Sequence, residues 1–254
     1  MQLQLRFSGF HYDVLKEHLL PADGKEAVAV ALCGRYFDGQ EHILMVHDLT
    51  LIPHNECSSR ENDILCWPTE RIRHYFERIS QTDFAILKIH SHPGGYDKFS
   101  DTDDRSDHEF FDSAFGWATT SNPHASAVML PDGKIFGRCF FSDLHYEPID
   151  RILVSGDTIE LFTNNDDNDV PAFAERNVQA FGEKTHQILN KLSVAVVGCS
   201  GTGSPIIEQL VRLGIGKIVL IDPDVLEEKN LNRIINATKS DAEKRIPKVT
   251  VLSS

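Results

Sequence analysis

His90-Ser91-His92-Pro93, followed by Ser100 and Asp103, is the run of this 254-residue chain whose residue types and spacing best suit chemistry. Two histidines two residues apart at the end of a strand leave the same face, so both rings can reach one ion. A carboxylate is a fitting third partner for two imidazoles around zinc. Three protein ligands leave the fourth tetrahedral position to a water, whose pKa zinc lowers to about 7. Asp103 lies eleven residues past His92, in what reads as the first turn of a helix beginning near Ser100. A general base must then take the water's proton and pass it to a leaving amine. Glu26, at the mouth of an apolar strand over 27–32, is the candidate, with Glu17 and Glu41 as other acids nearby. Ser100-Asp101-Thr102-Asp103 also fits a helix capping box, a purely structural use of the same residues. Asp101, Asp104, Asp107 and Glu109 read as a solvated helix face rather than as further ligands.

A second constellation begins at Gly198-Cys199-Ser200-Gly201-Thr202-Gly203, after one strand and before a helix. That is the context a phosphate-binding loop requires, because glycine lets backbone amides approach a phosphate without a Cβ in the way. Asp222 ends the next strand, nineteen residues beyond Gly203, where an acid usually binds ribose hydroxyls. On these residues alone an NAD-binding Rossmann unit is the natural reading.

The elements that must position these residues follow from periodicity and punctuation. Residues 8–20 read as an amphipathic helix behind a Ser8 cap, with Phe10, Val14, Leu15 and Leu19 on its apolar face. Ala27–Leu32 is a buried strand ending at Gly34, and the alternation of Ile43, Met45, His47, Leu49 and Leu51 predicts its neighbour. A helix opened by Pro68 runs to about Ser80, and Phe84–Ile89 is a strand leading into His90. Pro131-Asp132-Gly133 between two apolar runs is a hairpin signal. The polar run Asn164–Asp169 has nothing to bury and reads as a linker or loop tip. Ser193–Gly198, 204–213 and Lys217–Asp222 then form a strand–helix–strand unit of the kind that builds a parallel sheet.

Composition fits an ordinary globular protein, with 41% hydrophobic and 25% charged residues. A net charge of −13 argues against nucleic acid as the main partner, and no apolar run approaches the roughly 20 residues a membrane span needs. Five scattered cysteines without a CxxC pair, and an N-terminus unlike a signal peptide, predict a cytoplasmic protein without a disulfide scaffold.

The spacing HxHPx(6)SxxD over His90, His92, Pro93, Ser100 and Asp103 is without departures. With it, residues 1–145 resemble a JAB/MPN domain carrying a JAMM motif. The resemblance implies that His90, His92 and Asp103 bind zinc, that Glu26 is the base, and that Ser100 helps hold the oxyanion. It also implies a peptide or isopeptide substrate at the tail of a ubiquitin-like or sulfur-carrier protein. Asp222-Pro223-Asp224, Asn230-Leu231-Asn232-Arg233 and Pro247-Lys248 resemble the ThiF/MoeB/HesA adenylation domain of ubiquitin-activating-type enzymes, with Arg176 as its leading arginine. That resemblance implies ATP with Mg2+, the phosphates at Gly198, Gly201 and Gly203, the ribose at Asp222, and Asn230, Arg233 and Lys248 around the triphosphate. It further implies a homodimer in which Arg176 reaches the partner's nucleotide. Ser200 departs from the glycine usual in that family.

The expectation is thus an α/β protein: an α-β-α JAB/MPN domain over 1–145, a connecting segment over 146–175, and the first part of a doubly wound ThiF-type domain over 176–254. The adenylation domain is expected to be incomplete as it stands. A conjugating enzyme is a further candidate partner; nucleic acid and membrane are not. The competing readings are a non-catalytic MPN scaffold and, for the second domain, an NAD-dependent oxidoreductase.

Overall fold

A computed structural model of the chain describes residues 1–61, 65–163 and 170–253. The run Asn164–Asp169, read as a linker, lies outside the described residues. The chain divides into two compact units, Met1–Asp166 and Asp167–Ser254.

The first unit contains, in order, β1 (Gln2–Ser8), α1 (Gly9–Leu19), β2 (Val28–Phe37), β3 (Glu41–Leu51), β4 (Ser59–Arg60), β5 (Leu65–Cys66), α2 (Arg73–Ile79), β6 (Ala85–Ser91) and α3 (Asp101–Trp117). It continues with β7 (His124–Met129), β8 (Ile135–Phe140), β9 (Tyr146–Pro148), β10 (Arg151–Ser155) and β11 (Ile159–Thr163). Nine strands form one mixed sheet in the order β11-β10-β1-β3-β2-β6-β7-β8-β9, and β4 pairs with β5 in a separate hairpin.

Both faces of the sheet are covered. The central strand β2 therefore has no polar side: Ala29, Ala31 and Cys33 join one apolar cluster with Tyr12, Leu15 and Leu19 of α1. Val28, Val30 and Leu32 join the other, with Tyr75, Phe76 and Ile79 of α2 and Phe111 and Ala114 of α3. This two-faced burial explains the continuous small-apolar run 27–32.

Several expectations change in detail. The buried stripe of α1 runs through Tyr12, Leu15 and Leu19, while Phe10 is 73% exposed. On the first half of β3, Leu44 and Val46 face the core and Met45 is exposed, the opposite parity from the alternation read in the sequence, whereas Leu49 and Leu51 pack on the core as read. A bulge between Leu32 and Cys33 shifts the β2–β3 register by one residue, and a one-residue shift exchanges the faces of every side chain beyond it. The helix opened by Pro68 is a 3-10 turn (Thr69–Ile72) continued by α2.

Residues 146–163, assigned to a connecting segment, instead extend the sheet at both edges. β9 pairs with β8, and β10 pairs in parallel with β1. Ile152, Leu153 and Val154 bury there, an apolar run too short to announce a strand without its partner.

The second unit contains α4 (Glu175–Phe181), α5 (Glu183–Lys191), β12 (Ser193–Val197), α6 (Gly203–Leu213), β13 (Lys217–Ile221), α7 (Lys239–Glu243) and α8 (Lys248–Leu252). β12 and β13 pair in parallel across α6, and Gly214 closes α6 at φ +85°. Among the described residues, no helix is long and apolar enough to cross a membrane.

Candidate metal centre and nucleotide loop

The candidate metal centre grows from a coincidence of two repeats. Every second residue of β6 faces α3, and every fourth residue of α3 faces β6. Two strand residues advance about 6.6 Å and four helical residues about 6 Å, so side chains pair off along the contact. His90 meets Asp103, and two residues earlier Lys88 meets Asp107, four residues along α3.

His90 Nε2 lies 2.9 Å from Asp103 Oδ1. His92 Nε2 lies 3.3 Å from Asp103 Oδ2, and the two Nε2 atoms are 3.1 Å apart. Ligands about 2.0–2.1 Å from a tetrahedral zinc are separated by roughly 3.3 Å. Three donors already spaced near that edge, two nitrogens and a carboxylate oxygen, fit such an ion. They are the one cluster of this kind among the described residues.

The surroundings prepare each donor. His92 Nδ1 is 2.7 Å from the carbonyl of Tyr96, which fixes its proton there and leaves Nε2 free to ligate. Burial pushes the pKa of His90 down, favouring the neutral ring a metal needs. Burial pulls His92 the same way, but its hydrogen bonds to Asp103 and to the Tyr96 carbonyl, together with the nearby carboxylate charges, outweigh this and raise it. Burial alone would raise the Asp103 pKa; hydrogen bonds from His90 and His92 hold it far below the usual carboxylate range.

The cap and the candidate ligand set share one arrangement. Asp103 Oδ2 accepts from Ser100 N at 2.7 Å and from Ser100 Oγ at 2.8 Å, while Ser100 Oγ accepts from Asp103 N at 3.1 Å. The box therefore clamps the carboxylate in the orientation that faces both histidines. The Ser100 hydroxyl is committed to Asp103, so donating to an oxyanion requires it to release that bond.

Of the three acids weighed as base, Glu26 alone is brought to the centre. It is 6% exposed, and its charge raises the pKa of His92. Glu17 is exposed on α1, and Glu41 accepts from Gln4 on β1.

Asp107, read from the sequence as part of a solvated helix face, is the opposite. It is fully buried, with Lys88 Nζ 2.8 Å from one oxygen and Arg138 Nη2 2.7 Å from the other. Asp104 pairs with the same arginine, so only Asp101 and Glu109 remain as a solvated face. The spacing Asp103–Asp107 on one helix face was the available signal.

In the second unit the loop from β12 to α6 closes tightly. A Cβ on Gly203 would sit 1.7 Å from the Gly198 carbonyl oxygen, and Gly198 has φ +95°. A Cβ on Gly201 would meet the Arg233 Cδ at 2.9 Å, so the Arg233 stem lies over the loop. Asp222 Oδ2 accepts from Cys199 N at 2.7 Å, and Lys248 Nζ lies 2.7 Å from Asp224 Oδ2 and 4.0 Å from Asp222 Oδ1. Asn230 is buried and its Oδ1 accepts from Glu227 N. Arg176 stands exposed on α4, outside this bonded set.

The family model for prokaryotic homologs of the JAB domain matches residues 10–136, and the ThiF family model matches 174–254. The chain belongs to the prokaryotic JAB-domain homologs, and its second unit is of the ThiF type. Over 79 residues it is 37% identical to tRNA threonylcarbamoyladenosine dehydratase of Bacillus subtilis (strain 168), covering 31% of this chain and 30% of that protein. Over 63 residues it is 40% identical to ubiquitin-like modifier-activating enzyme 5 of Arabidopsis thaliana, covering 22% of this chain and 15% of that protein. A crystal structure of E. coli tRNA N6-threonylcarbamoyladenosine dehydratase in complex with ATP is 34% identical with a TM-score of 0.31, covering 33% of this chain and 35% of that one. The chain thus spans about a third or less of the length of these relatives.

Proposed function

We propose that the first unit is a zinc-dependent peptidase or isopeptidase that processes or removes a ubiquitin-like or sulfur-carrier protein. We further propose that the second unit serves ATP-dependent adenylation of the carboxy-terminus of such a protein. The observation that carries the peptidase reading is the convergence of His90, His92 and Asp103 at tetrahedral spacing beside a buried glutamate. A zinc ion held there would polarise the scissile carbonyl and acidify a water. Glu26 takes the proton from the attacking water and delivers it to the leaving nitrogen. Ser100 holds the Asp103 carboxylate in place.

The test is metal analysis of the purified protein together with cleavage of a ubiquitin-like precursor ending in Gly-Gly-X and of a branched isopeptide conjugate. One zinc per chain is expected, with cleavage abolished by chelator and restored by zinc. Folded protein without zinc would favour a scaffold role. Cleavage that survives both chelator and His92→Ala would end the peptidase reading.

For the second unit, Gly198, Gly201 and Gly203 place the loop at the start of α6, where helix N-termini favour phosphate. Lys248 and Arg233 supply positive charge and Asp222 the ribose contact, with Mg2+ accompanying the nucleotide. Relatives named as ubiquitin-like modifier-activating support a ubiquitin-like partner. Titration with ATP against NAD discriminates this from an oxidoreductase. Gly203→Ala is expected to abolish ATP binding, because its Cβ and the Gly198 carbonyl cannot share that space. Zinc content should be unchanged, which separates loop failure from general misfolding.

A further inference from the structure

We propose that Ser91 and Arg60 are positioning residues that hold Glu26 against the metal ligands. The inference rests on reading Glu26 as the base. It arises from how the backbone around that residue is held on both sides.

Ser91 sits between the two histidine ligands and is fully buried. Where β2 runs antiparallel to β6, Val28 stands opposite His90. At the next position Ser91 N donates to Ala27 O at 3.0 Å. The return bond does not go to the Ser91 carbonyl: Ala27 N donates to Ser91 Oγ at 3.0 Å. The hydroxyl thus replaces a ladder carbonyl. The chain can then leave β2 at this point while it stays on β7, where His92 N continues the β6–β7 ladder by donating to Met129 O at 3.0 Å. One side chain therefore ends the ladder where His92 must turn inward and ties the residue after Glu26 to the ligand-bearing strand.

Arg60, on the β4–β5 hairpin, grips the other side. Its Nε donates to the Glu26 carbonyl at 2.7 Å. Its Nη1 and Nη2 donate to Asp23 at 2.5 and 3.2 Å, and Nη2 reaches the Lys25 carbonyl at 3.4 Å. Glu26 N donates to Glu61 O at 3.0 Å. Residues 23–26 are folded around one guanidinium, a fork that lysine's single ammonium does not reproduce. Both backbone groups of Glu26 are occupied, so its side chain starts from a fixed point. A misplacement of about 1 Å costs on the order of a hundredfold in rate.

The experiment uses the zinc-loaded full chain and the Gly-Gly-X precursor. Ser91→Ala and Arg60→Ala are each expected to lower kcat by about 10- to 100-fold, with KM and zinc content unchanged. Ser91→Thr, which keeps the hydroxyl, should restore the rate. In a Glu26→Gln background neither substitution should slow the reaction further, because residues acting through one group are not additive. Independently of activity, hydrogen exchange should show the Ala27 amide losing protection in Ser91→Ala and that of Glu26 in Arg60→Ala, while the rest of β2 stays protected. Unchanged exchange at these amides, or full additivity with Glu26→Gln, overturns the positioning role. If Glu26→Gln alone leaves the rate intact, the base assignment fails instead.

Discussion

Glu26→Gln is expected to leave one zinc bound per chain and to slow precursor cleavage by about 10²- to 10⁴-fold, the usual range for removing a positioned acid–base group. The amide has the shape of the carboxylate but can neither accept a proton from water nor pass one to an amine. Glu26 is not among the three converging donors, so metal content should hold. Asp103→Ala should behave differently in two respects. It removes a ligand, so zinc and cleavage are lost together. It also removes the partner of Ser100 in the capping box of α3, which costs about 1 kcal/mol of stability. Metal analysis, single-turnover cleavage and thermal unfolding on the two variants separate base from ligand. Loss of zinc from Glu26→Gln would contradict the assignment of roles.

The largest expected effect on stability lies one helical turn from the ligands. Asp107→Ala should destabilise the first unit by about 3–5 kcal/mol, because it leaves Lys88 and Arg138 buried and charged with their shared carboxylate gone. The side chains of Asp107, Lys88 and Arg138 are 0%, 6% and 3% exposed, so water cannot replace the lost partner. Arg138 keeps the Asp104 carboxylate, whereas Lys88 keeps the Ser106 hydroxyl and the face of Phe110 but no carboxylate among the described ion pairs; most of the penalty should therefore fall on β6. Denaturant unfolding measures it, and a loss under 1 kcal/mol would show that the network is solvated or rearranges. The pH dependence has a definite sign. Burial alone would raise the Asp107 pKa, but Lys88 and the other partners bring it below the ordinary carboxylate value. A depressed folded-state pKa contributes stability that is fully present above the unfolded value, near 4, and is lost as pH falls through the folded one. Asp107→Ala should remove that part of the acid-induced destabilisation.

The sequence by itself determined the α/β class, the strand leading into His90 and the hairpin at Pro131-Asp132-Gly133, and it pointed to the residues that converge in the candidate metal cluster. Each is a local property: hydrophobic period, a turn residue with its required φ, or side chains brought to one face by a spacing of two. Only the tertiary structure decided which neighbours those elements meet. The bulge at Leu32–Cys33 reversed the faces of the first half of β3, and a bulge leaves no mark in a list of apolar residues. The short run Ile152–Val154 became a strand only because β1 offered it an edge. Asp107 looked like its exposed neighbours until β6 placed Lys88 opposite it. Asp103 could be a cap or a ligand on spacing alone. The fold makes it a cap and lets it serve as a ligand too, because one carboxylate oxygen faces the helix start while the pair together faces two rings on an adjacent strand. Spacing along the chain selects residue types, and the packing of a helix on a strand decides which of them meet.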